Sequence, residues 1–223
     1  MSAPSSTASF ASADPKEARL KLVGWHWLSD PKEAISDPDI VRATQDITGA
    51  INAIVWPPGS HNFTIYAEPG KERGKGNGVR PIRDAFVAAL EEYPGWLTEY
   101  SVAMNPGDRR PGPIDGVLPT SRGLIAVEWE TGNVSSSHRS MNKIVYGLQS
   151  GVLYAGFLIA PSRALYRFLT DRVGNVQELS SYFGYWRNNM PAGGHCAVIE
   201  VEHDATSLDV PRIEKGTDGR ALV

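Results

Sequence analysis

The stretch 123-GLIAVEWETGN-133 decides how this chain is read. Gly123 to Val127 form an apolar run of strand length, and on a strand alternate side chains share a face. Glu128 and Glu130 therefore point the same way, with Val127 and Trp129 opposite. The ordinary reading of a Glu-x-Glu pair is a solvated strand edge, because glutamate is mostly exposed. Two carboxylates a few ångströms apart repel, however, unless positive charge lies between them. The question is what supplies that charge at the end of a buried run.

Upstream, 113-PID-115 stands at the foot of a second short strand, 114–118. The thirteen-residue step from Asp115 to Glu128 accommodates a strand, a tight turn around Pro119-Thr120-Ser121 and a return strand. A hairpin of that kind brings Asp115 beside Glu128 and Glu130. Three carboxylates converging at a strand end suit a hard, oxygen-seeking cation, and Mg²⁺ is the natural choice. Such an ion polarises a phosphodiester and acidifies a bound water. In 95-GWLTEY-100, Glu99 lies sixteen residues before Asp115 and is a further candidate. Taken alone, it reads as a surface glutamate.

The bulk numbers bound this reading. With 223 residues at 41% hydrophobic, the chain can bury one sizeable core. The single cysteine, Cys196, lies in an apolar run and reads as a core thiol, which excludes a disulfide framework or a zinc cluster built on cysteines. No apolar run is long enough to cross a membrane, and the N-terminus lacks signal-peptide character, so a cytoplasmic protein with no membrane partner is expected. A net charge of −3 gives no support for nucleic-acid binding. It does not exclude a cleft with local Lys and Arg.

Residues 1–14 read as a disordered Ser/Ala-rich extension, 15–210 as one domain and 211–223 as a polar tail. Helical patterns are expected at 15–28, 38–54, 79–93, 135–148, 161–170 and 176–186, with Ser135 as an N-cap. Strands are expected at 114–118, 123–130, 152–160 and 197–201. Strands alternating with helices predict an α/β fold, a mixed central sheet flanked by helices.

The run 130-ETGNVSSSHRSMNK-143 makes the reading specific. It closely resembles the corresponding segment of the BamHI family of type II restriction endonucleases. The likeness continues in order through 56-WPPGSHNFTI-65, 77-NGVRPI-82, 112-GPID-115, 147-GLQSG-151, 169-LTDRV-173, 178-ELSSYF-183 and 215-KGTDG-219. It covers roughly residues 56–219. An N-terminal stretch up to about residue 15 has no counterpart, the 105–113 loop is shorter, and a further basic helix expected after the tail motif is missing, which puts the tail's contact in doubt.

The resemblance implies a restriction-endonuclease-like fold and a homodimer that cuts the palindrome GGATCC with Mg²⁺, leaving four-base 5′ overhangs. A cognate DNA methyltransferase is expected in the same system, not as a stable partner. The resemblance further implies that Asp115, Glu128, Glu130 and Glu99 are catalytic, that Asp115, Glu128 and Glu99 are metal ligands, and that Glu130 acts as base. It names Asn133, Ser135, Arg139, Asp171 and Arg172 as major-groove readers, with Asp218 and Gly219 approaching the minor groove. The chemistry agrees: Asn and Ser at a helix N-terminus suit a base edge or phosphate, Asp171 can accept from cytosine N4, and Arg172 can bind guanine O6 and N7. A palindrome calls for a two-fold dimer, for which helices 135–148 and 161–170 offer Ile144, Tyr146, Leu148, Tyr166 and Phe168. Two alternatives stay open: the same fold with another palindromic target, and a DNA-binding module without cleavage.

Overall fold

The computed structural model describes residues 19–71, 75–103, 112–130, 132–170 and 173–215. Along the chain run β1 (Lys21–Trp27), α1 (Pro31–Ser36), α2 (Pro38–Asn52), β2 (Thr64–Tyr66), α3 (Arg80–Glu91), β3 (Leu97–Ser101), β4 (Pro113–Thr120) and β5 (Gly123–Trp129). Then come α4 (Val134–Gln149), β6 (Leu153–Pro161), α5 (Arg163–Tyr166), α6 (Val176–Leu179), a 3₁₀ turn at Ser180–Tyr182, α7 (Phe183–Asn188), β7 (His195–Glu202) and β8 (Ala205–Ser207). Six strands form one sheet in the order β1-β7-β6-β5-β4-β3, and β2 pairs with β8 in a small parallel ribbon. The inner strands β5, β6 and β7 are parallel, while β1, β4 and β3 join antiparallel. The expected mixed α/β sheet is what the chain builds.

Each face of the sheet carries its own core. On β5, Ile125, Val127 and Trp129 pack with Ile40, Ile47 and Ile51 of α2 and Phe86 and Leu90 of α3. Ala126 faces the other way, toward Met141, Ile144, Val145 and Leu148 of α4. The period-2 pattern of the strand thus meets two period-3.6 stripes, one on each side. Helix α4 approaches β6 closely enough that a Cβ at Gly156 would meet Ile144 Cγ2 at 2.3 Å, so only glycine admits this spacing. Cys196 is fully buried, and burial pushes its thiol up to about 12. No helix among the described residues is long and apolar enough to cross a membrane.

Several expectations are corrected. Of the helix expected at 15–28, the described part contains an edge strand, β1, paired antiparallel with β7. Its sequence KLVGWHW is rich in aromatic and β-branched residues, and the long-range partner decides over the charged residues that suggested a helix. The helix expected at 161–170 is only α5, because Ser162 caps its start and the backbone beyond Tyr166 is engaged by other loops. The hairpin turn is at Ser121-Arg122, with Pro119 inside β4 opposite Leu124. β3 ends its pairing at Val117, so Pro119 has no second neighbour demanding its missing N–H. Of the apolar residues offered for a dimer surface, Ile144 and Leu148 belong to the core, whereas Tyr146 is exposed. Tyr182, beside His138 of α4, and Tyr185 are exposed as well, apolar surface that the pattern did not single out.

Candidate active site

Backbone register sets the acidic residues in a row. β3 and β4 pair Thr98 with Gly116 and Tyr100 with Ile114, which puts Glu99 across from Asp115. β4 and β5 pair Gly116 with Val127, and one step along the ladder Asp115 lies across from Glu128. Residues directly opposite in an antiparallel pair share a face, so these carboxylates span three adjacent strands on one side of the sheet. Glu130 follows two residues past Glu128. Asp115, Glu128 and Glu130 are only 8%, 5% and 3% exposed. Glu99 is half-exposed and has φ +48°, a left-handed conformation that costs a non-glycine residue energy and turns up at functional sites.

Two cations are lodged among these carboxylates. Arg83 of α3 donates Nε–H to Asp115 Oδ1 at 3.0 Å, and its Nη2 reaches both Asp115 and Glu99. Lys143 of α4 pairs with Glu128 and donates to the Pro113 carbonyl at 3.1 Å. Asp115 Oδ2 accepts the Trp129 N–H at 2.6 Å, which ties β4 to the end of β5. Sequence reasoning singled out neither cation. Arg83 adjoins Ile82 on the buried side of an amphipathic helix, and Lys143 closes the run 130–143; a basic residue so near a buried stripe was the available signal.

Protonation follows from burial. Burial pushes the Glu128 carboxyl up to about 7, against the pull of Lys143, and the Asp115 charge adds to the rise. Burial likewise lifts Glu130 to about 7; the neighbouring Ser137 hydroxyl and the Gly132 amide oppose it. The Gly132 N–H donates to Glu130 Oε1 at 2.6 Å, while Oε2 is buried with no hydrogen-bond partner of ordinary geometry. Although burial works against its charge, Arg83 is held protonated well above its usual range by Asp115 and Glu99. A carboxyl near 7 can take up and release a proton at neutral pH, which is what a general base needs.

Among the described residues no three carboxylates already stand together as a metal cage. The donor set still fits a hard divalent cation. It is all oxygen, it lies along one row, and burial disfavours the charge on Glu128, a cost that such a cation would offset. Arg83 and Lys143 hold the acidic groups in that row.

Three of the residues expected to read DNA stand at the mouth of α4. Its N-cap is Asn133, not the expected Ser135: the Asn133 Oδ1 accepts the Ser136 N–H at 3.1 Å. Asn133, Ser135 and Arg139 are all exposed, and Arg139 lies close enough to act electrostatically on Glu130. A cleft of about 660 Å³ opens beside them, lined by Asn133, Ser135, His138, Tyr166 and Tyr182 among others. The His138 ring sits edge-on to Tyr182 at 4.3 Å, a packing role. Asp171, Arg172, Asp218 and Gly219 fall outside the described residues, as do residues 1–14. The flanks of the 171–172 pair are described: Thr170 N–H donates to the Asn77 carbonyl at 2.8 Å, and Gly174 N–H to the Gly132 carbonyl at 3.1 Å.

A carboxylate row, a buried base candidate and exposed polar groups at a helix mouth form a nuclease-like arrangement, and the restriction endonuclease BamHI family matches residues 20–220. The chain belongs to the BamHI family. The type II restriction enzyme OkrAI of Oceanobacter kriegii is 43% identical over 187 residues, covering 84% of this chain and 93% of its own. The type II restriction enzyme BamHI of Bacillus amyloliquefaciens is 33% identical over 196 residues, covering 85% and 88%. Among solved structures, restriction endonuclease BglII complexed with a DNA 16-mer overlaps 56% of each chain at a TM-score of 0.42 and 10% identity, a likeness too loose to argue from. As a BamHI-family member the protein is a type II restriction endonuclease, a site-specific deoxyribonuclease that binds DNA, and the family's chemistry uses a divalent metal.

Proposed function

We propose that this enzyme hydrolyses double-stranded DNA at the palindrome GGATCC, as a Mg²⁺-dependent homodimer leaving 5′ GATC overhangs. The observation that carries the catalytic part is the row Glu99–Asp115–Glu128 with Glu130 buried beside it. The target rests on the resemblance of the reading residues, Asn133, Ser135, Arg139, Asp171 and Arg172, with Asp218 and Gly219 toward the minor groove.

Asp115, Glu128 and Glu99 are the ligands assigned to Mg²⁺, which when bound supplies Lewis-acid polarisation of the phosphodiester and a more acidic water. Glu130 accepts the proton of the attacking water; its carboxyl near 7 makes that transfer possible at neutral pH. Lys143 keeps Glu128 from rising further and so favours its ionised form. Arg83 brings a firmly held charge to the row, where a DNA phosphate is the competing anion. Asn133 and Ser135 at the α4 N-terminus suit base-edge and phosphate contacts. A two-fold target requires a two-fold protein, each subunit reading one half-site. Exposed Tyr146 of α4 and exposed Tyr182, edge-on to His138 of the same helix, offer apolar surface for that contact. A cognate methyltransferase would protect the host's own sites.

The test is digestion of a phage-length DNA with purified protein and Mg²⁺, followed by sequencing of fragment ends. Ends only at GGATCC with GATC overhangs are expected. Ends at another palindrome would overturn the transfer of the reading residues but keep the chemistry. Shifted yet uncut DNA would leave a binding module.

A further inference from the structure

Arg83 binds the same oxygens that the proposed function assigns to a metal. Its Nε–H donates to Asp115 Oδ1 at 3.0 Å, and its Nη2 donates both to that oxygen and to Glu99 Oε1. A carboxylate oxygen has two lone-pair sites, so Arg83 fills both of them on Asp115 Oδ1. Oδ2 accepts the Trp129 N–H at 2.6 Å, which leaves one site on the whole Asp115 carboxylate. One guanidinium thus engages two of the three carboxylates assigned to Mg²⁺.

That guanidinium cannot yield by losing its proton. Arginine is charged at any working pH, and Asp115 and Glu99 hold this one protonated still more firmly. It can yield only by moving, and its surroundings permit that. The Arg83 side chain is 17% exposed, its partner Glu99 is half-exposed, and its Nη1 donates at 3.1 Å to Asp84, a half-exposed residue that is not in the row. The guanidinium therefore already spans the row and the surface. Lys143 differs, being 9% exposed, paired with Glu128 and tied to the Pro113 carbonyl at 3.1 Å. Of the two cations, Arg83 is the one placed to exchange partners.

We propose that Arg83 is a resident counter-ion and positioning residue of the acidic row, holding Asp115 and Glu99 against a divalent cation until a DNA phosphate draws its guanidinium away. This rests on the proposed reading of the row as the metal centre. Arg83 and the metal compete twice, for the lone pairs of Asp115 Oδ1 and, as like charges, for the field of the same carboxylates. A phosphodiester offers the guanidinium two oxygens in the bidentate geometry that suits its planar fork. Metal and DNA then bind cooperatively, and by linkage each raises the affinity for the other by the same factor.

The test counts bound Mn²⁺, which loses its sharp free-ion spin-resonance signal on binding, in wild type, Arg83→Gln, Arg83→Lys and Asp115→Asn. Each protein is titrated alone and with a duplex that carries the cleaved sequence and a non-hydrolysable linkage at the scissile position. Without DNA, Arg83→Gln should bind Mn²⁺ about tenfold more tightly than wild type, within the usual range of coupling between two sites. The duplex should tighten wild type by about the same factor and add little to Arg83→Gln. Arg83→Lys keeps the charge but not the fork, so it should fall between the two, and it decides the matter if Arg83→Gln does not fold. A role limited to holding the row together has the opposite sign. Mn²⁺ binding by both Arg83 variants no tighter than wild type, with the gain from the duplex kept, overturns the proposal. Asp115→Asn separates this failure from that of the underlying reading. If Asp115→Asn takes up Mn²⁺ as wild type does, the row is not the metal centre and the proposal falls with it. If it abolishes uptake while both Arg83 variants behave as wild type, the metal reading stands and the Arg83 proposal alone falls.

Discussion

The acidic row and the rim proposed to read DNA are neighbours in sequence and opposites in construction. Glu128 and Glu130 are buried at the end of β5, whereas Asn133, Ser135 and Arg139, a few residues later, are exposed on the first turns of α4. The row is placed by strand register, which leaves each carboxylate little freedom beyond rotation of its side chain. The rim is placed by a helix cap and by backbone bonds borrowed from distant loops. On the proposed assignment, the chemistry is set before DNA arrives, while reading depends on groups that exchange solvent for base edges. Perturbing the row should change rate with recognition kept, and perturbing the rim should do the reverse.

The largest expected effect is at Asp115. Asp115→Asn removes a charge that organises Arg83 and accepts the Trp129 N–H, and single-turnover cleavage should fall by at least ~10³-fold, because charge stabilisation by a bound metal is worth several kcal/mol. Affinity for a target duplex in a gel-shift assay should change little; a parallel loss of binding would erase the distinction between row and rim.

Glu130→Gln should lower kcat by about 10²–10⁴-fold, the usual contribution of a general base. Its effect on stability has the opposite sign. Glu130 is raised from an ordinary 4.5 to about 7 in the folded state, so its contribution is fully favourable below the unfolded value and is lost as pH rises through 7. Above that pH the buried carboxylate is a standing cost that Gln does not carry. In metal-free protein Glu130→Gln should raise Tm at pH 8 by several degrees, for a gain on the order of 2 kcal/mol, and the gain should vanish near pH 5. A gain that does not depend on pH contradicts the burial account. Glu130→Lys with full activity would remove the base assignment, since lysine is mostly protonated at neutral pH.

The smallest effect separates two neighbours on the rim. Asn133→Ala deletes the α4 cap and should cost about 1 kcal/mol, or roughly 2–4 °C in Tm, together with reading accuracy. Ser135→Ala should leave Tm unchanged in the same melts, because Ser135 does not cap the helix. Equal losses would return the cap to Ser135.

What was legible in the sequence follows the same division. The period-2 alternation of β5 and the thirteen-residue step back to Asp115 were enough to pair β4 with β5, because a hairpin is a local structure. The row's fourth member was not derivable in this way: Glu99 is on an edge strand with a left-handed backbone, and no local pattern announces that it faces Asp115. Arg83 and Lys143 arrive from helices packed on opposite faces of the sheet, so their meeting with the carboxylates is tertiary. β1 was misread for the same reason, its partner β7 being at the far end of the chain. The run 130–143 carried the family assignment, yet the N-cap within it was one helical half-turn off.

The central claim is that the row across β3, β4 and β5 is the metal centre, distinct from the reading rim. The most direct measurement is isothermal titration of Mg²⁺ into protein bound to a target duplex with a non-hydrolysable linkage at the scissile position, for wild type and Asp115→Asn. Metal uptake in wild type, abolished in the variant while the duplex stays bound, is the predicted result. Undiminished uptake by Asp115→Asn would place the metal elsewhere and contradict the account.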